Sequence, residues 1–269
     1  MEDTLRILFF GDIVGPLGRK AVKKYLSLHK EKDDIDFVIA NGENTTHGHG
    51  LSYAHYKELL SYGIDALTSG NHFFNSTDVS HYGNEMSKQV RPYNFDKSAP
   101  GKGTEVFQAK DGTQIRITNM MGRIYMNGVQ SNPFYDMDAI CSLDEEKVIH
   151  ILDFHAEATA EKRIMAEYLD GRVTAVFGTH THVQTNDAKK LTKGTLFLTD
   201  VGMNGAYYSS LGDELDSAMR RTITLMPTAL SVPRTGKMLV NAIQFDVKKS
   251  TKQVTSYKII NETYQDDPS

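Results

Sequence analysis

Only one cysteine, Cys141, occurs among the 269 residues of the sequence. A single cysteine excludes an internal disulfide bond, and it also excludes metal binding by paired thiolates of the CxxC type. Because free cysteine is among the residue types most often buried, we expect Cys141 to be a small buried apolar residue.

Long hydrophobic runs, a basic N-terminal region and an excess of positive charge are also missing. The longest apolar stretches, such as residues 7–10, are far shorter than the ~20 residues that a membrane span requires. The first residues, MEDTLR, carry acids where a signal peptide carries basic residues, which favours a cytoplasmic location. Thirty basic and 34 acidic residues give a net charge of −4, so no global positive field attracts nucleic acid. We therefore expect no membrane partner and no DNA partner.

Proline is scarce, with 7 residues, and glycine and proline together make up only 28 positions, while 39% of the chain is hydrophobic and 24% charged. This composition excludes a disordered or collagen-like chain and predicts a soluble globular protein.

Short apolar runs that alternate with segments of helical period indicate an α/β protein. The predicted strands are residues 5–10, 37–40, 64–68, 104–109, 114–120, 148–154, 173–177 and 195–199, and the predicted helices are residues 18–30, 52–62 and 159–169. Residues 222–226, 237–247 and 253–260 alternate with period two, and the last fifty residues show no evident helix. We expect one domain over residues 1–269, α/β first and antiparallel β last, with a frayed polar tail at residues 261–269.

Five of the predicted strands end in loops that carry residues of metal-ligand type. The pooled candidates are Asp12, Glu43, Asn44, Asn71, His72, His155, His180 and His182. Because open α/β sheets bind ligands outside the carboxyl ends of their strands, the five loops can converge on one point. His180 and His182 are two residues apart, so both imidazoles would face the same side of an extended backbone.

The donor types predict a metal centre with two ions. Carboxylates, carboxamides and imidazoles together suit borderline divalent metals such as Mn, Fe, Zn or Co. Eight donors exceed what one ion can use, so we expect a dinuclear site with a bridging carboxylate, its ions ~3.5 to 4 Å apart.

Plainer interpretations exist for individual residues. Asp12 could cap the helix that follows, Asn71 could cap a turn, Glu43 could lie in a solvated loop, and His155 could be a satisfied core histidine. The agreement of five loops favours the metal centre. The remaining histidines are interpreted as structural or surface residues (His29, His55, His81, His150) or as ambiguous neighbours of the site (His47, His49).

The order of these motifs resembles that of the calcineurin-like metallophosphoesterases, and more closely that of the YmdB-type bacterial phosphodiesterases, over nearly the whole chain. The resemblance rests on GDIVGPLGR (11–19), ANGENTTHGHG (40–50), TSGNH (68–72), RPYN (91–94), DFHAEATAEK (153–162), GTHTHVQT (178–185) and TDVGMNG (199–205). Three positions depart from the general pattern: Val14 replaces a histidine, Glu43 replaces the bridging aspartate, and Phe73 replaces an acid. These departures are typical of the YmdB-type branch.

The resemblance implies a four-layer α/β/β/α sandwich of two mixed sheets flanked by helices. It implies one metal held by Asp12, Glu43, Asn44 and His182, and a second held by Glu43, Asn71, His155 and His180. Glu43 would bridge the two ions, which would be Fe or Mn, with Zn, Mg or Co also compatible, and His72 would be the proton donor. The implied substrates are small phosphodiesters, above all 2′,3′-cyclic nucleotides such as 2′,3′-cAMP, and a homo-oligomer is also implied.

The chemistry of such a site follows from general principles. Two divalent ions lower the pKa of a shared water and neutralise phosphoryl oxygens, and a histidine with a pKa near ~6.5 can protonate the leaving oxygen. Arg91 and Arg123 are candidate substrate contacts, because guanidinium groups match phosphate oxygens. Three alternatives stay open: a phosphomonoesterase or 5′-nucleotidase on the same metals, a mononuclear hydrolase or oxygenase, and a regulatory protein in which the bound nucleotide or metal is the signal.

Overall fold

The computed structural model describes residues 3–143 and 148–266. Its strands are β1 (Thr4–Ile13), β2 (Phe37–Asn41), β3 (Ala66–Thr68), β4 (Gln89–Val90), β5 (Thr104–Gln108), β6 (Gln114–Met121), β7 (Ile149–His155), β8 (Ala175–Thr179), β9 (Lys189–Lys190), β10 (Leu196–Leu198), β11 (Met203–Ala206), β12 (Met238–Lys248) and β13 (Gln253–Tyr264). Its α-helices are α1 (Gly15–His29), α2 (Tyr53–Ser61), α3 (Asp78–Tyr82), α4 (Pro133–Cys141), α5 (Thr159–Tyr168) and α6 (Leu215–Thr224).

The strands form two mixed sheets. The first sheet has the order β13-β12-β11-β1-β2-β3-β4, and the second has the order β5-β6-β7-β8-β10-β9. In the first, β1 to β4 run parallel while β12 and β13 are antiparallel. In the second, β6, β7, β8 and β10 run parallel. Carboxyl ends of parallel strands therefore gather at one edge of each sheet.

Alternate residues of β1 show how the four layers are built. Ile7 and Phe9 pack between the two sheets, whereas Leu8 and Phe10 pack beneath α1 and α2, as expected because successive side chains of a strand point to opposite faces. The ring of Phe9 lies 5.2 Å from that of Phe177 on the opposite sheet. Helices α4 and α5 cover the outer face of the second sheet. The predicted α/β/β/α sandwich is confirmed.

The segment around residues 222–226 differs from its prediction. It is the end of α6 and the turn that follows, not a strand. The apolar side chains Leu215, Met219 and Ile223 recur every four residues, which is a helical spacing. The five-residue window with period two was too short to distinguish a helix from a strand, so the expectation of no helix in the last fifty residues was wrong.

The polar tail also differs in part. Residues 261–264 were expected to be frayed, but they belong to β13, where Tyr264 pairs with Met238 and Glu262 pairs with Val240. The Asn261 side chain donates to Asn241 Oδ1 at 2.7 Å. Residues 267–269 lie outside the described residues.

Other predictions have mixed outcomes. Cys141, at the end of α4, is only partly buried, because it packs at the margin of the core cluster beneath α4. In the two described stretches of chain, no helix is both long enough and apolar enough to cross a membrane. The single-domain organisation stays a prediction.

Candidate metal centre

The five segments predicted to carry ligands lie at the carboxyl ends of β1, β2 and β3 of the first sheet and of β7 and β8 of the second, and two of the residues expected in loops, Asp12 and His155, lie within β1 and β7 themselves. In the first sheet Asp12 is in register with Asn41 of the neighbouring strand. In the second sheet His155 is in register with Thr179. The contact between Glu43 and His155 joins the two sheets, with Glu43 Oε1 lying 3.1 Å from His155 Nε2.

One group of side chains surrounds His155 Nε2. Glu43, His155 and His180 each offer one ligand atom, and these atoms lie within 4.8 Å of one another. His180 Nδ1 lies 3.1 Å from His155 Nε2, and Asn71 Oδ1 lies 2.8 Å from the same nitrogen. This group can hold a metal ion.

A second group lies beside the first and contains Asp12, Asn44 and His182. His182 Nε2 is 2.8 Å from Asn44 Nδ2 and 3.9 Å from Asp12 Oδ1. Asp12 Oδ2 accepts a hydrogen bond from the backbone N–H of His180 at 3.2 Å, which connects the two groups. Asp12 Oδ1 and Asn44 Oδ1 are buried and have no hydrogen-bond partner in the described part of the chain. Such unsatisfied buried oxygens fit a bound cation, because burying them without a partner is costly.

Each of the three histidines has one ring nitrogen fixed by a neighbour. The Nδ1 atom of His182 lies 2.7 Å from the carbonyl oxygen of Leu211, so it must donate its proton there. The Nε2 atom of His180 lies 3.0 Å from Glu157 Oε2. The Nδ1 atom of His155 lies 2.9 Å from the hydroxyl of Thr179. In each case the other nitrogen faces the cluster, which is the arrangement typical of metal-binding histidines.

The hydroxyl of Thr179 is itself oriented by a buried carboxylate. It donates to Asp153 Oδ1 at 2.6 Å, so the N–H of His155 must donate to the hydroxyl. Asp153 also accepts from the side chains of Thr68 and Asn41. Burial raises the pKa of Asp153.

Gly70 permits the close approach of the two sheets at this point. A Cβ atom at residue 70 would lie 2.4 Å from Glu43 Oε2 and 2.4 Å from His155 Nε2. Because no side chain fits in that space, only glycine allows the contact between Glu43 and His155.

His72 lies beside the cluster without belonging to it. Its backbone N–H donates to Glu43 Oε2 at 3.0 Å, which fixes the turn that carries its side chain. Its half-buried imidazole ring packs against His49, with 4.6 Å between the ring centroids. Burial lowers the pKa of His72, against the opposing charge of Glu43.

Burial and mutual charge perturb the protonation of the cluster. Burial raises the pKa of Asp12 to about 7. Burial also disfavours the charged form of Glu43, but the His155 imidazole outweighs it and lowers the pKa of Glu43 to about 2. Desolvation acts to lower the pKa of His155, yet Glu43 raises it to about 9. Burial, then the charge of His155, lowers the pKa of His180 to about 3. Perturbed groups in such number are typical of functional sites.

Comparison with known proteins agrees with this geometry. A family profile described as YmdB-like protein matches residues 8–260. The chain belongs to the YmdB-like family.

Three similar proteins illustrate the relationship. A Bacillus subtilis (strain 168) protein named 2′,3′-cyclic-nucleotide 2′-phosphodiesterase is 38% identical over 257 residues, which are 95% of this chain and 96% of that protein. A Mycoplasma pneumoniae structure described as a novel phosphatase is 35% identical, with a TM-score of 0.90 over 99% of this chain and 96% of its own. The structure of a hypothetical protein from Thermus thermophilus is 36% identical, with a TM-score of 0.89 over 96% of this chain and 99% of its own.

Several plainer interpretations do not hold in this YmdB-like chain. Asp12 does not cap α1, whose N-cap residue is Val14. The Asn71 carboxamide contacts His155, and Glu43 is buried, with only 1% exposed. His155 is fully buried, as a core histidine would be, but it lies among the other candidate ligands.

The backbone around His180 and His182 is not extended, which differs from the prediction. Their φ angles are 100° and 64°, in the left-handed region that non-glycine residues rarely adopt. As a result the two imidazoles do not share one face: His180 joins the group around His155, and His182 joins Asp12 and Asn44.

The two candidate substrate arginines lie apart from these groups. Arg91 is 7% exposed, and its guanidinium donates to the backbone oxygen of Pro92 at 2.7 Å. Burial lowers the pKa of Arg91. Arg123 is exposed, and its backbone N–H donates to Glu161 Oε1. Among the described contacts, neither arginine reaches a candidate metal ligand, and their role in substrate binding stays a prediction.

Sequence reasoning missed the residues that support the ligands. They are Asp153, Glu157, Lys162, Thr179, Asp200 and Leu211. Asp153 could have been found, because a carboxylate within a strongly apolar strand, two residues from His155, faces the same side of the sheet. The Leu211 contact uses a backbone carbonyl, which leaves no sequence signal.

Proposed function

We propose that this chain is a phosphoester hydrolase that cleaves small phosphodiesters, above all 2′,3′-cyclic nucleotides. The observation that carries the proposal is the arrangement of His155, His180 and His182, each with one nitrogen held by an acceptor and the other facing buried carboxylates. The name of the Bacillus subtilis relative supports the substrate class.

We propose two metal ions at this site. Asp12, Glu43, Asn44 and His182 would hold one ion, and Glu43, Asn71, His155 and His180 would hold the other. The unsatisfied oxygens of Asp12 and Asn44 support the first set, and the short contacts around His155 Nε2 support the second. Mixed oxygen and nitrogen donors favour Fe or Mn, and they also accommodate Zn, Mg or Co.

The chain's own residues would bind the phosphate, orient it and move a proton. When bound, two divalent ions supply a nucleophile near neutral pH and neutralise the charge of the phosphoryl oxygens. Glu43 positions His72 through the backbone N–H of that residue. The His72 imidazole is free of side-chain hydrogen bonds within the described residues, so it can donate a proton to the leaving oxygen. With a 2′,3′-cyclic nucleotide, the name of the Bacillus subtilis relative supports the 2′ oxygen as that leaving oxygen, so the proposed product is a 3′-nucleotide.

The experiment is a substrate panel with metal-quantified protein. We expect hydrolysis of 2′,3′-cAMP to 3′-AMP by the wild type, and a loss of roughly 10²-fold or more in kcat in His72→Ala, because a general acid typically contributes that much. His81→Ala, which changes an exposed histidine of α3, is the matched control and should behave as wild type. Turnover of monoesters alone would instead indicate the phosphomonoesterase alternative. This alternative is considered because the Mycoplasma pneumoniae structure is described as a phosphatase.

We also propose that the chain forms homo-oligomers and is cytoplasmic, without DNA or membrane as a partner. No residue of α6 is buried, and Leu215, Met219 and Ile223 are 43%, 53% and 77% exposed on one face. Such an apolar stripe supports self-association. Light scattering after size exclusion tests it: the wild type should exceed the mass of one chain, and Met219→Glu with Ile223→Glu should reduce it.

A further inference from the structure

A cavity beside His72 has no part in the reaction described so far. It measures about 320 Å³ and lies between residues 46–52 and residues 75–78. We call it the His49 cavity, because His49 lines it and also packs on the ring of His72. The cavity therefore begins next to the side chain that would protonate the leaving oxygen.

The walls of the His49 cavity are held in place by the fold. The backbone N–H of Thr46 donates to the carbonyl of Gly50 at 3.0 Å, which closes the first loop on itself. The backbone N–H of Tyr53 donates to Asp78 Oδ2 at 2.8 Å, which joins the two segments. Gly50 has a φ of 78°, and a Cβ atom there would lie 2.9 Å from the backbone nitrogen of Ser76. The cavity is thus preformed.

The polar groups of the cavity fall into two sets. The half-buried groups are engaged within the fold: Thr46 Oγ1 accepts from the backbone N–H of Ser52 at 2.9 Å, and Asp78 accepts from Tyr53. The exposed side chains have no hydrogen-bond partner in the described parts of the chain. These are His47, His49, Asn75 and Thr77. They are available to a ligand.

The charge of the cavity selects the kind of ligand. Among the described residues that line it, Asp78 is the only carboxylate, and none is a lysine or an arginine. A phosphate group is therefore disfavoured, while a neutral ligand is accepted. Imidazole rings stack on nucleobases, and amide and hydroxyl groups bind ribose and base edges. The volume lies at the lower end of the roughly 300 to 1,000 Å³ range of small-molecule sites.

The bond that breaks in the proposed reaction also places the nucleoside beside His72. Hydrolysis of a 2′,3′-cyclic phosphate adds hydroxide to phosphorus, breaks the bond from phosphorus to the 2′ oxygen, and places a proton on that oxygen. Because the leaving oxygen belongs to the nucleoside, the nucleoside must lie on the side of the proton donor His72.

We propose that the His49 cavity binds the nucleoside part of the substrate, with the base against the His49 ring. The proposal rests on the proposed function. It makes Asn75 and Thr77 residues that determine specificity for nucleotides over smaller phosphodiesters.

The test compares 2′,3′-cAMP with ethylene phosphate, which has the same five-membered cyclic phosphodiester and no nucleoside. Thr77→Tyr fills the cavity from an exposed position. It should lower kcat/KM for 2′,3′-cAMP roughly tenfold or more, mainly through KM, and change that for ethylene phosphate less than about twofold. Ser80→Tyr, an exposed α3 residue that does not line the cavity, should leave both values unchanged.

Binding of adenosine to the metal-loaded protein supplies a readout without turnover. Wild type should bind adenosine, Asn75→Ala should bind it several-fold more weakly, because one hydrogen bond is lost, and Thr77→Tyr should bind it least. Equal adenosine binding by wild type and Thr77→Tyr, or an equal effect of Thr77→Tyr on both substrates, would overturn the cavity assignment. If the wild type hydrolyses ethylene phosphate but not 2′,3′-cAMP, the proposed substrate class fails instead.

Discussion

Lys162 Nζ lies 2.7 Å from Asp200 Oδ2, and each of these two side chains is only 1% exposed. The same carboxylate oxygen accepts a hydrogen bond at 3.1 Å from the backbone N–H of Thr181, the residue between His180 and His182. A buried ion pair is weak evidence for stability, because desolvation offsets the attraction between its charges. We therefore interpret the pair as a positioning device for the loop that carries the two histidines.

Removing the cation of this pair should damage both the fold and the metal centre. Lys162→Met leaves the Asp200 carboxylate buried without its partner, so the free energy of unfolding in urea should fall by about 3–5 kcal/mol. Arg163→Met, the neighbouring residue of α5 whose ion pair with Glu167 is exposed, should change it by less than about 0.5 kcal/mol. Metal affinity, measured on the folded protein, should fall only in Lys162→Met. Similar behaviour of the two variants would contradict the positioning role.

The link from Asp153 through Thr179 to His155 predicts a second effect. Asp153→Asn keeps the shape of the side chain but removes its charge, so His155 should lose its fixed orientation. Metal affinity should fall about 10- to 100-fold, the usual cost of losing a partner of a ligating histidine. Asp170→Asn is the control, because Asp170 is also buried but accepts from the backbone at Lys193 and Thr195. If the link has no role, calorimetric titration should give the same metal affinity for Asp153→Asn and for the wild type.

The space at residue 70 gives a third prediction. Gly70→Ala places a methyl group 2.4 Å from Glu43 Oε2 and from His155 Nε2, so these two side chains must separate. Bound metal per chain, measured by elemental analysis, should drop below that of the wild type. Gly205→Ala has its nearest neighbour at 3.4 Å and an ordinary φ, and it should keep the wild-type metal content. Full metal content in Gly70→Ala would mean that the contact between Glu43 and His155 is dispensable.

Metal removal should destabilise the protein. A ligand that binds only the native state stabilises it by about 2.7 kcal/mol at a concentration 100 times its Kd. The unfolding temperature should therefore fall after chelation and rise again as Mn²⁺ is added, with the logarithm of the free Mn²⁺ concentration once that exceeds the Kd. Asp12→Asn should weaken this dependence, and Asp213→Asn, which lies outside the proposed ligand sets, should not. If the unfolding temperature is the same with and without metal, the protein does not hold an ion tightly.

Local patterns in the sequence predicted the alternation of strands and helices and the convergence of ligand loops, because apolar period and turn residues act locally, whereas the four-layer arrangement was implied by the family resemblance. The conformation of His180 and His182 could not be predicted in this way. It depends on Asp200, which lies in the loop between β10 and β11, and on Leu211, which contributes only its backbone carbonyl oxygen. Helix α6 was missed because the window with period two at residues 222–226 covers only its last turn, whereas the helical spacing of Leu215, Met219 and Ile223 becomes visible only over a longer stretch.

We propose that Glu43 joins the two metal sites, and the metal content of Glu43→Gln tests this role most directly. Wild type should contain about two ions per chain, as expected of a two-metal site. Glu43→Gln removes the shared charge from both ligand sets, so it should retain at most about one ion and lose hydrolysis of 2′,3′-cAMP. Glu167→Gln is the control, because its carboxylate pairs with Arg163 on the exposed face of α5 and no described contact joins it to a candidate ligand, so it should retain both ions. Two ions retained in Glu43→Gln, or none bound by the wild type, would contradict the account.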